Sequence, residues 1–244
     1  MNRPTIGILA GMGPSSTGPF VDLVVAECRA RYGARDDIDF PKMVILSQPA
    51  PFYHDREMDS AAVEAATVEG LQHLERAGAD LIGMACNSVH MYFDRLAASI
   101  SVPLLDIVAD ALDALPPGTR SVAIAASRPL AASGLYQRAA ADRGLTVVEP
   151  AWQCRIDALQ EMVKGETDAH LCALAWRELF QRLEDCDHVD AVIIACLDIS
   201  GVFRFADPPV ATVDSARSLA ARLVEDWLAG CTRRPLPSSR SGPA

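Results

Sequence analysis

Strand-like apolar runs alternate with helix-like amphipathic segments along almost the whole chain. The strand-like runs are TIGILAG, KMVILSQ, ADLIGMAC and VPLLDI in the first half, and SVAIAAS, LTVVEP and DAVIIAC in the second. Most are uniformly apolar, as is typical of strands that are covered on both faces of a parallel sheet. The sequence therefore predicts an α/β fold in which parallel sheets are flanked by helices.

The helical segments have recognisable ends. TGPFVDLVVAECRARYG is predicted to end near Gly33, and SAAVEAATVEGLQHLERAG to have Ser60 as its N-cap and Gly78 as its stop. Further helices are predicted for NSVHMYFDRLAAS, PLAASGLYQRAAADRG, residues 153–164 and 167–186, and SARSLAARLVEDWLAG.

The second half of the chain repeats the order of the first. A cysteine follows Ile6 after 80 residues, at Cys86, and follows Val122 after 74 residues, at Cys196. This similarity predicts two similar lobes, each a parallel sheet flanked by helices, with the active site in the cleft between them. The predicted division is 1–104 plus 212–230 for the first lobe, 105–211 for the second, and 231–244 for a disordered tail.

Composition narrows the function classes. The net charge of -10 argues against nucleic-acid binding, which needs a basic face. No apolar run is long enough to span a bilayer, and the N-terminus lacks the features of a signal peptide. These observations predict a cytoplasmic protein that acts on a small molecule. Its seven cysteines are then expected to be free thiols, with Cys28 and Cys172 as core residues.

The segment GMGPSST follows the first strand. Ser16 stands where the dinucleotide fingerprint requires Gly or Ala, and no Gly-Lys-Ser/Thr is present for a phosphate-binding Walker loop. A strand-to-helix turn directs backbone N–H groups toward the space beyond the sheet. The segment therefore predicts a small anion site with hydroxyl groups from Ser15, Ser16 and Thr17, or a simple helix cap.

Cys86 and Cys196 each end an apolar strand, in ACNSVH and ACLDIS. A helix N-terminus lowers the pKa of a thiol from about 8.5, so a thiolate fraction is expected near pH 7. Two such cysteines at equivalent places in two lobes would face one another across the cleft. That arrangement suits a reaction that needs a base on one side of a carbon atom and an acid on the other.

GMGPSST, ACNSVH and a late Cys-x-Asp/Glu together resemble the aspartate/glutamate racemase superfamily. The resemblance covers almost the whole chain. It implies a racemase that uses neither pyridoxal phosphate nor a metal, so no cofactor is expected. It also implies that one cysteine thiolate removes the α-proton of an amino acid, while the other thiol returns a proton to the opposite face. Cys86 and Cys196 would have these roles.

The resemblance also implies substrate contacts. Met12 and Gly13 would lie against the substrate through backbone atoms, and Thr17, Asn87 and Ser88 would contact its head group. Arg56 and Lys164 would hold a side-chain carboxylate, although Lys164 is equally compatible with an exposed helix end.

The sequence departs from the family pattern in the second lobe. Leu197 stands where a threonine usually holds the substrate, although Asp198 keeps the acidic position after it. The turn AASRPL replaces a Thr-rich turn that contacts the ligand, so Ser127 keeps one hydroxyl and Arg128 is new. Arg128 could pair with a carboxylate or point to solvent. These departures leave the identity of the substrate open.

The remaining polar candidates have subordinate predicted roles. His90 is expected to support the ACNSVH motif rather than to transfer a proton, His54 to line the pocket, and Asp106 to face the cleft or to have no role there. His73, His170 and His188 are expected on the surface. No set of His, Cys and Asp has metal-binding spacing, so no metal site is predicted.

Three functions are compatible with the sequence. The first is a cofactor-independent amino-acid racemase, which by the family resemblance could be a homodimer. The second is a superfamily isomerase or decarboxylase of a small dicarboxylate that uses one cysteine. The third is a non-catalytic amino-acid-binding relative, although binding alone does not need two thiols. A disulfide-based redox role fits poorly, because two cysteines on separate lobes are poor disulfide partners.

Overall fold

The structure contains two parallel sheets flanked by helices, as the sequence predicts, and each sheet has four strands. It is a computed structural model that describes residues 3–52, 58–149, 151–186, 189–203 and 210–230, apart from the side chains of 181–186, 202 and 203. The loop residues His54 and Arg56, the helix-end residue His188 and the predicted tail 231–244 lie outside the described residues.

The first sheet has the strand order β2-β1-β3-β4. In its parallel register Ile6 of β1 lies opposite Met43 of β2 and Leu81 of β3. The elements of this half are β1 Ile6–Ala10, α1 Thr17–Tyr32, β2 Met43–Ser47, α2 Ser60–Arg76, β3 Leu81–Met84, α3 Phe93–Ala98, β4 Leu104–Leu105 and α4 Ile107–Asp113.

The second sheet repeats this topology with the order β6-β5-β7-β8. Val122 of β5 lies opposite Val147 of β6 and Ala191 of β7. The elements are β5 Ser121–Ala126, α5 Arg128–Ser133, α6 Leu135–Ala141, β6 Thr146–Val148, α7 Gln153–Lys164, α8 Ala169–Cys186, β7 Ala191–Ala195, α9 Leu197–Phe203, β8 Ala211–Asp214 and α10 Ser215–Leu228.

The two lobes share one hydrophobic core. A single cluster of buried side chains joins Ile8 of β1, Ile124 of β5 and Ile193 of β7 to Leu219 on α10. Helix α10 packs closely on the first sheet, since a Cβ added to Gly83 would lie 3.0 Å from the side chain of Leu223. The residue ranges of the predicted lobes stay a prediction.

Most predicted helices are present, and their ends follow from local chemistry. Helix α1 ends at Gly33, which adopts the left-handed conformation at φ 71°, as predicted. The N-cap of α2 is Asp59 rather than Ser60, because the Asp59 side chain accepts a hydrogen bond from the Ala62 backbone N–H at 3.0 Å.

Two segments differ from their predicted form, and three short elements were not predicted. The segment after β3 begins as a 3-10 helix, Ser88–Tyr92, before α3. The single helix predicted after β5 is two helices, because Gly134 adopts φ 66° between them. Helices α4 and α9 and strand β8 were not predicted; each is seven residues or shorter, too short for a clear periodic pattern.

Three further features concern the expectations from composition and spacing. Cys28 and Cys172 are buried free thiols, as predicted. Within the described ranges, no helix is long and apolar enough to cross a membrane. No group of three or more His, Cys, Asp or Glu residues in those ranges is arranged to hold a metal ion.

Candidate active site in the cleft between the lobes

The turns after β1, β3, β5 and β7 carry most of the described residues predicted for the site. The first of these turns needs glycine, because Gly11 has φ +96° and a Cβ there would lie 2.5 Å from the backbone N of Gln48. This close approach sends the following segment, Met12–Thr17, over the carboxyl ends of the strands.

Cys86 follows β3 and is buried, with 6% of its surface exposed. Burial raises the pKa of its thiol to about 11, because the charged thiolate would lose its hydration. The backbone N–H groups of Val89 and Ser88 oppose this rise, the charge of Asp198 adds to it, and the charge of Lys164 opposes it.

Cys196 follows β7 and is 9% exposed. Burial again raises the pKa of the thiol, to about 11, and the charge of Asp198 is the second cause. The backbone N–H groups of Ile199 and Asp198 oppose the rise. The amide of Gln160 also opposes it, since its Nε2 donates a hydrogen bond to the Cys196 sulfur at 3.0 Å.

These surroundings correct one expectation. The helix N-termini were expected to lower the thiol pKa values, and the backbone N–H groups do act in that direction. Desolvation outweighs them, because both sulfur atoms lie among apolar side chains, Cys86 with Met84 and Val89 and Cys196 with Ile156 and Ile199. Both cysteines are therefore neutral thiols near pH 7 in this structure.

Asp198 connects the two halves of the site. Its Oδ1 accepts a hydrogen bond from the Ser16 hydroxyl at 2.7 Å, which links the turn after β7 to the turn after β1. A Cβ added to Gly13 would lie 3.6 Å from the same oxygen, so Gly13 also lies beside Asp198. Because the Asp198 carboxylate raises the pKa of both thiols, it lies within electrostatic range of Cys86 and Cys196.

Ser88 and Ser127 also meet between the lobes. Their hydroxyl oxygens are 3.2 Å apart, within hydrogen-bond distance. Ser127 precedes α5 but makes no side-chain capping bond to that helix. Its hydroxyl is therefore available to the cleft, where the sequence predicts a ligand contact.

Asn87 has a different arrangement from the predicted head-group contact. Its amide nitrogen donates to the Ser215 hydroxyl at 2.9 Å, and its amide oxygen accepts from the Tyr136 hydroxyl at 2.7 Å. All three side chains are buried. Asn87 thus ties the Cys86 turn to α6 and α10, which makes it a positioning residue in this structure.

His90 supports the same turn, as the sequence predicts. Its Nδ1 lies 2.8 Å from the Cys86 carbonyl oxygen, and its Nε2 lies 3.3 Å from the Ile107 backbone N–H. The Nε2 atom also lies 3.5 Å from the Leu105 carbonyl oxygen, so the ring joins the Cys86 turn to the segment before α4. The ring also stacks on Phe93 at a centroid distance of 5.6 Å.

Met12, Thr17 and Lys164 have different surroundings. The Met12 side chain packs against the apolar cluster that contains Cys86. The Thr17 hydroxyl is buried and has no hydrogen-bond partner among the described residues, so a bound substrate could supply one. Lys164 is exposed at the end of α7, yet its charge opposes the rise in the Cys86 pKa.

Leu197 and Arg128 mark the departures from the family pattern in the second lobe. The Leu197 side chain packs on the shared core and lines a cavity of about 270 Å³ with Ser16, Phe20 and Ala216. Arg128 is 61% exposed and forms an ion pair with Asp157 on α7. The Leu197 side chain is partly buried beside α1 and α10, and its contact with a substrate stays a prediction.

Asp106 serves as a helix cap. One of its carboxylate oxygens accepts hydrogen bonds from the backbone N–H groups of Val108 and Ala109, at 3.0 and 3.4 Å, at the start of α4. The sequence left two alternatives for Asp106, a position facing the cleft or no role there. The structure gives this carboxylate a capping role at α4.

Sequence reasoning missed four residues around the site. Gln160 contacts the Cys196 sulfur, Tyr136 and Ser215 hold Asn87, and Asp214 accepts a hydrogen bond from Ser200 at 2.6 Å. Gln160 stands four residues before Lys164 on the same helix, so the two side chains share a face. Because Lys164 was a predicted site residue, this spacing is a signal by which Gln160 could have been predicted. The other three have no comparable signal, because their contacts join segments far apart in the chain.

Comparison with known proteins agrees with this geometry. The family model described as Asp/Glu/Hydantoin racemase matches residues 9–223. The chain is 34% identical over 225 residues to a "Broad specificity amino-acid racemase RacX" of Bacillus subtilis, covering 92% of this chain and 98% of the relative.

Two solved structures are also similar to this chain. Aspartate racemase of Picrophilus torridus has a TM-score of 0.75 at 24% identity and covers 92% of this chain and 94% of its own. An aspartate racemase homologue of Pyrococcus horikoshii has a TM-score of 0.74 at 22% identity, with coverages of 92% and 99%. The two-lobed fold, the extent of the family match and the identity to RacX together show that this chain belongs to the Asp/Glu/hydantoin racemase family and is an isomerase of the racemase class.

Proposed function

We propose that this protein is a cofactor-independent amino-acid racemase in which Cys86 and Cys196 exchange protons with the Cα atom. The observation that carries the proposal is the placement of two buried thiols at equivalent strand ends, within range of the same Asp198 carboxylate. A base and an acid on opposite faces of one carbon are what inversion at that carbon requires.

The proposed reaction moves one proton at each face. The thiolate of one cysteine takes the Cα proton, so the Cα–H bond breaks, an S–H bond forms and the electron pair remains on the substrate as a carbanion. The thiol of the other cysteine then gives its proton to the opposite face of Cα and becomes a thiolate. The protein ends with its protons exchanged between the two sulfurs, and the opposite enantiomer begins from that state.

The raised pKa values have a chemical use in this proposal. A thiolate whose conjugate acid has a pKa near 11 is scarce at neutral pH, but it is a stronger base than an ordinary thiolate. The Cα proton of an amino acid is weakly acidic, so a strong base that is shielded from water suits its removal. Burial therefore lowers the amount of active base and raises its strength.

The substrate is proposed to be an amino acid held by residues of both lobes. Supporting features are the Thr17 hydroxyl, which has no hydrogen-bond partner in the described part of the chain, the adjacent Ser88 and Ser127 hydroxyls, and Gly13 beside Asp198. The backbone of Met12 is proposed as a contact from the family resemblance. Lys164 and Arg56 are proposed for a side-chain carboxylate, and the place of Arg56 rests on the sequence alone. The Bacillus subtilis relative is described as having broad specificity, so both acidic and other polar side chains belong in the test.

The test is exchange of the Cα proton in D2O. We expect deuterium to appear at Cα of at least one amino acid in an L- and D-panel, followed by NMR, together with loss of optical activity. Cys86→Ser and Cys196→Ser should each abolish racemisation. Cys28→Ser is the matched control, because it replaces a buried free cysteine on α1 that belongs to a different apolar cluster from those of Cys86 and Cys196.

Other outcomes would replace the proposal. Turnover of maleate or an arylmalonate without exchange at any amino acid would favour the dicarboxylate isomerase or decarboxylase. Tight amino-acid binding without exchange would favour a non-catalytic binding protein.

A homodimer and a cytoplasmic location are also proposed, from the family resemblance and the sequence respectively. Light scattering at micromolar concentration tests the first proposal, and cell fractionation tests the second. A monomer under those conditions would remove the dimer from the proposal.

A further inference from the structure

Helix α7 carries two polar residues that affect the pKa values of the two thiols. Gln160 and Lys164 are four residues apart, so they lie on the same face of the helix. Gln160 donates its Nε2–H to the Cys196 sulfur at 3.0 Å, while the charge of Lys164 acts on Cys86. One helix of the second lobe therefore contributes to both sides of the proposed reaction.

The surroundings of Gln160 make its contact chemically significant. Cys196 lies in an apolar cluster with Trp152, Ile156, Leu159 and Ile199. A hydrogen bond is electrostatically stronger in such a medium than in water, and stronger again when the acceptor carries a charge. The Gln160 amide is thus positioned to stabilise a negative charge on the Cys196 sulfur.

A neutral donor suits a cysteine that must change its charge. The proposed reaction needs Cys196 as a thiolate in one direction and as a thiol in the other. A cation in contact with the sulfur would favour the thiolate in both directions. An amide helps the thiolate without a net charge, so both protonation states remain accessible.

We infer that Gln160 is a further catalytic residue, which stabilises the Cys196 thiolate through its side-chain N–H and thereby enables that cysteine to act as the base. This inference rests on the proposed two-thiol racemase, but its physical core is the Gln160–Cys196 contact. That contact can be measured without turnover.

The first experiment measures thiol reactivity. The alkylation rates of Cys86 and Cys196 with iodoacetamide are followed separately by mass spectrometry between pH 7 and 9 in wild type and Gln160→Met, which keeps the length of the side chain and removes the donor. We expect about a tenfold lower rate at Cys196, as the loss of a hydrogen bond to a charged group implies, and a change of less than about twofold at Cys86.

Gln153→Met is the matched control. Gln153 lies on the same helix, and its amide donates to the Ala126 carbonyl and to Asp157 rather than to a thiol. An unchanged Cys196 rate in Gln160→Met would overturn the inference. Equal slowing at both cysteines, or equal slowing in Gln153→Met, would also overturn it, because either result would indicate a general disturbance of α7.

A second variant, Gln160→Glu, tests the same contact if Gln160→Met does not fold. Gln160→Glu keeps the shape of the side chain and places a carboxylate beside the sulfur, so alkylation of Cys196 should slow by more than about tenfold. Unchanged alkylation in a folded Gln160→Glu protein would contradict the proposed contact.

The second experiment measures racemisation in both directions. The equilibrium constant between enantiomers is one, so kcat/KM must be equal in the two directions for wild type and for every variant. Gln160→Met should lower both values by about tenfold and change kcat and KM unequally between L and D substrates. If no amino acid is turned over by wild type, the racemase proposal fails, and the alkylation experiment still decides the role of Gln160 at Cys196.

Discussion

The turns at Cys86 and Cys196 occupy equivalent places in two sheets of the same topology, yet their surroundings differ. Around Cys86 the polar groups hold the backbone: His90 contacts the Cys86 carbonyl, and Asn87 is fixed by Tyr136 and Ser215. Around Cys196 a polar group contacts the sulfur itself, through Gln160. The two thiols thus have similar pKa values although different residues surround them. The two lobes place the thiol at the same point of the sheet, but the residues that contact each turn differ.

The largest expected effect comes from removing one thiol at a time. If each thiol faces one side of Cα, Cys86→Ser should still exchange the Cα proton of one enantiomer in D2O, and Cys196→Ser that of the other. Racemisation should fall by about 10²–10⁴-fold in both, the range that loss of a catalytic acid or base commonly costs. NMR of each pure enantiomer measures this, and exchange of both enantiomers by either variant would contradict the two-sided arrangement.

The raised pKa values predict a pH dependence that both thiols share. Burial holds both pKa values near 11, so the thiolate fraction should rise about tenfold per pH unit between pH 7 and 9. Alkylation rates of Cys86 and Cys196 should therefore rise about a hundredfold over this range. If the alkylation rate of either cysteine reached a plateau below pH 9, the pKa of that thiol would not be raised. A plateau at only one cysteine would show that the two turns differ in this respect.

The same shifts fix the direction of the effect on stability. A buried thiol keeps its proton to a higher pH than the same thiol in the unfolded chain, so the native state binds more protons at alkaline pH. The stability contributed by the neutral thiols is complete below the unfolded pKa and is lost as pH rises toward about 11.

Asp198→Asn should change the alkylation rates of the two cysteines to different extents. The substitution removes a charge that raises the pKa of both thiols. At Cys196 this charge is the second largest cause of the pKa shift, after burial. At Cys86 it is only the fourth, after burial and two backbone hydrogen bonds. We expect alkylation at pH 8 to accelerate about three- to tenfold at Cys196 and less at Cys86, corresponding to a pKa decrease of about half a unit to one unit. Ser16→Ala, which removes the hydroxyl that contacts Asp198, is the control for the lost hydrogen bond. Equal acceleration at both cysteines would contradict the difference.

Tyr136→Phe tests the polar support that only the Cys86 turn has. It leaves the buried Asn87 oxygen without the hydroxyl that now donates to it, so the free energy of unfolding should fall by about 1–3 kcal/mol in urea denaturation. Tyr32→Phe, which removes a hydroxyl that donates to the Asp39 carbonyl at the end of a short surface turn, should cost less. Equal losses in the two variants would show that the Asn87 network has no special role.

Arg128→Ala should have the smallest effect. Its side chain is exposed and paired with Asp157, and an exposed ion pair contributes little to stability. kcat/KM should stay within about twofold of wild type, as expected for a residue outside the chemistry. A loss of more than about tenfold, confined to substrates with an acidic side chain, would restore the alternative that Arg128 binds a carboxylate.

The fold was predictable because its signals are local and repeated. Apolar runs such as β3 and β7, together with the Gly33 helix end, predict parallel strands and the helices between them. The two cysteines were predictable because each ends one of these runs. Short elements such as α9 were missed, since seven residues show too little periodicity to identify a helix.

The details of the site depend on contacts that no local pattern records. The use of Asn87 depends on Tyr136 and Ser215, which are 49 and 128 residues away in sequence. The direction of the thiol pKa shifts depends on how completely the lobes exclude water, which the turn sequences do not contain. The inward packing of Leu197 likewise depends on α1 and α10 meeting beside it.

The shared core has a consequence for the folding of the two halves. Ile8, Ile124, Ile193 and Leu219 belong to one apolar cluster. Expressed without its counterpart, either half would expose part of that cluster to water. We therefore expect neither half to fold alone, and mutations that loosen the cleft to weaken the cooperative folding of the entire enzyme.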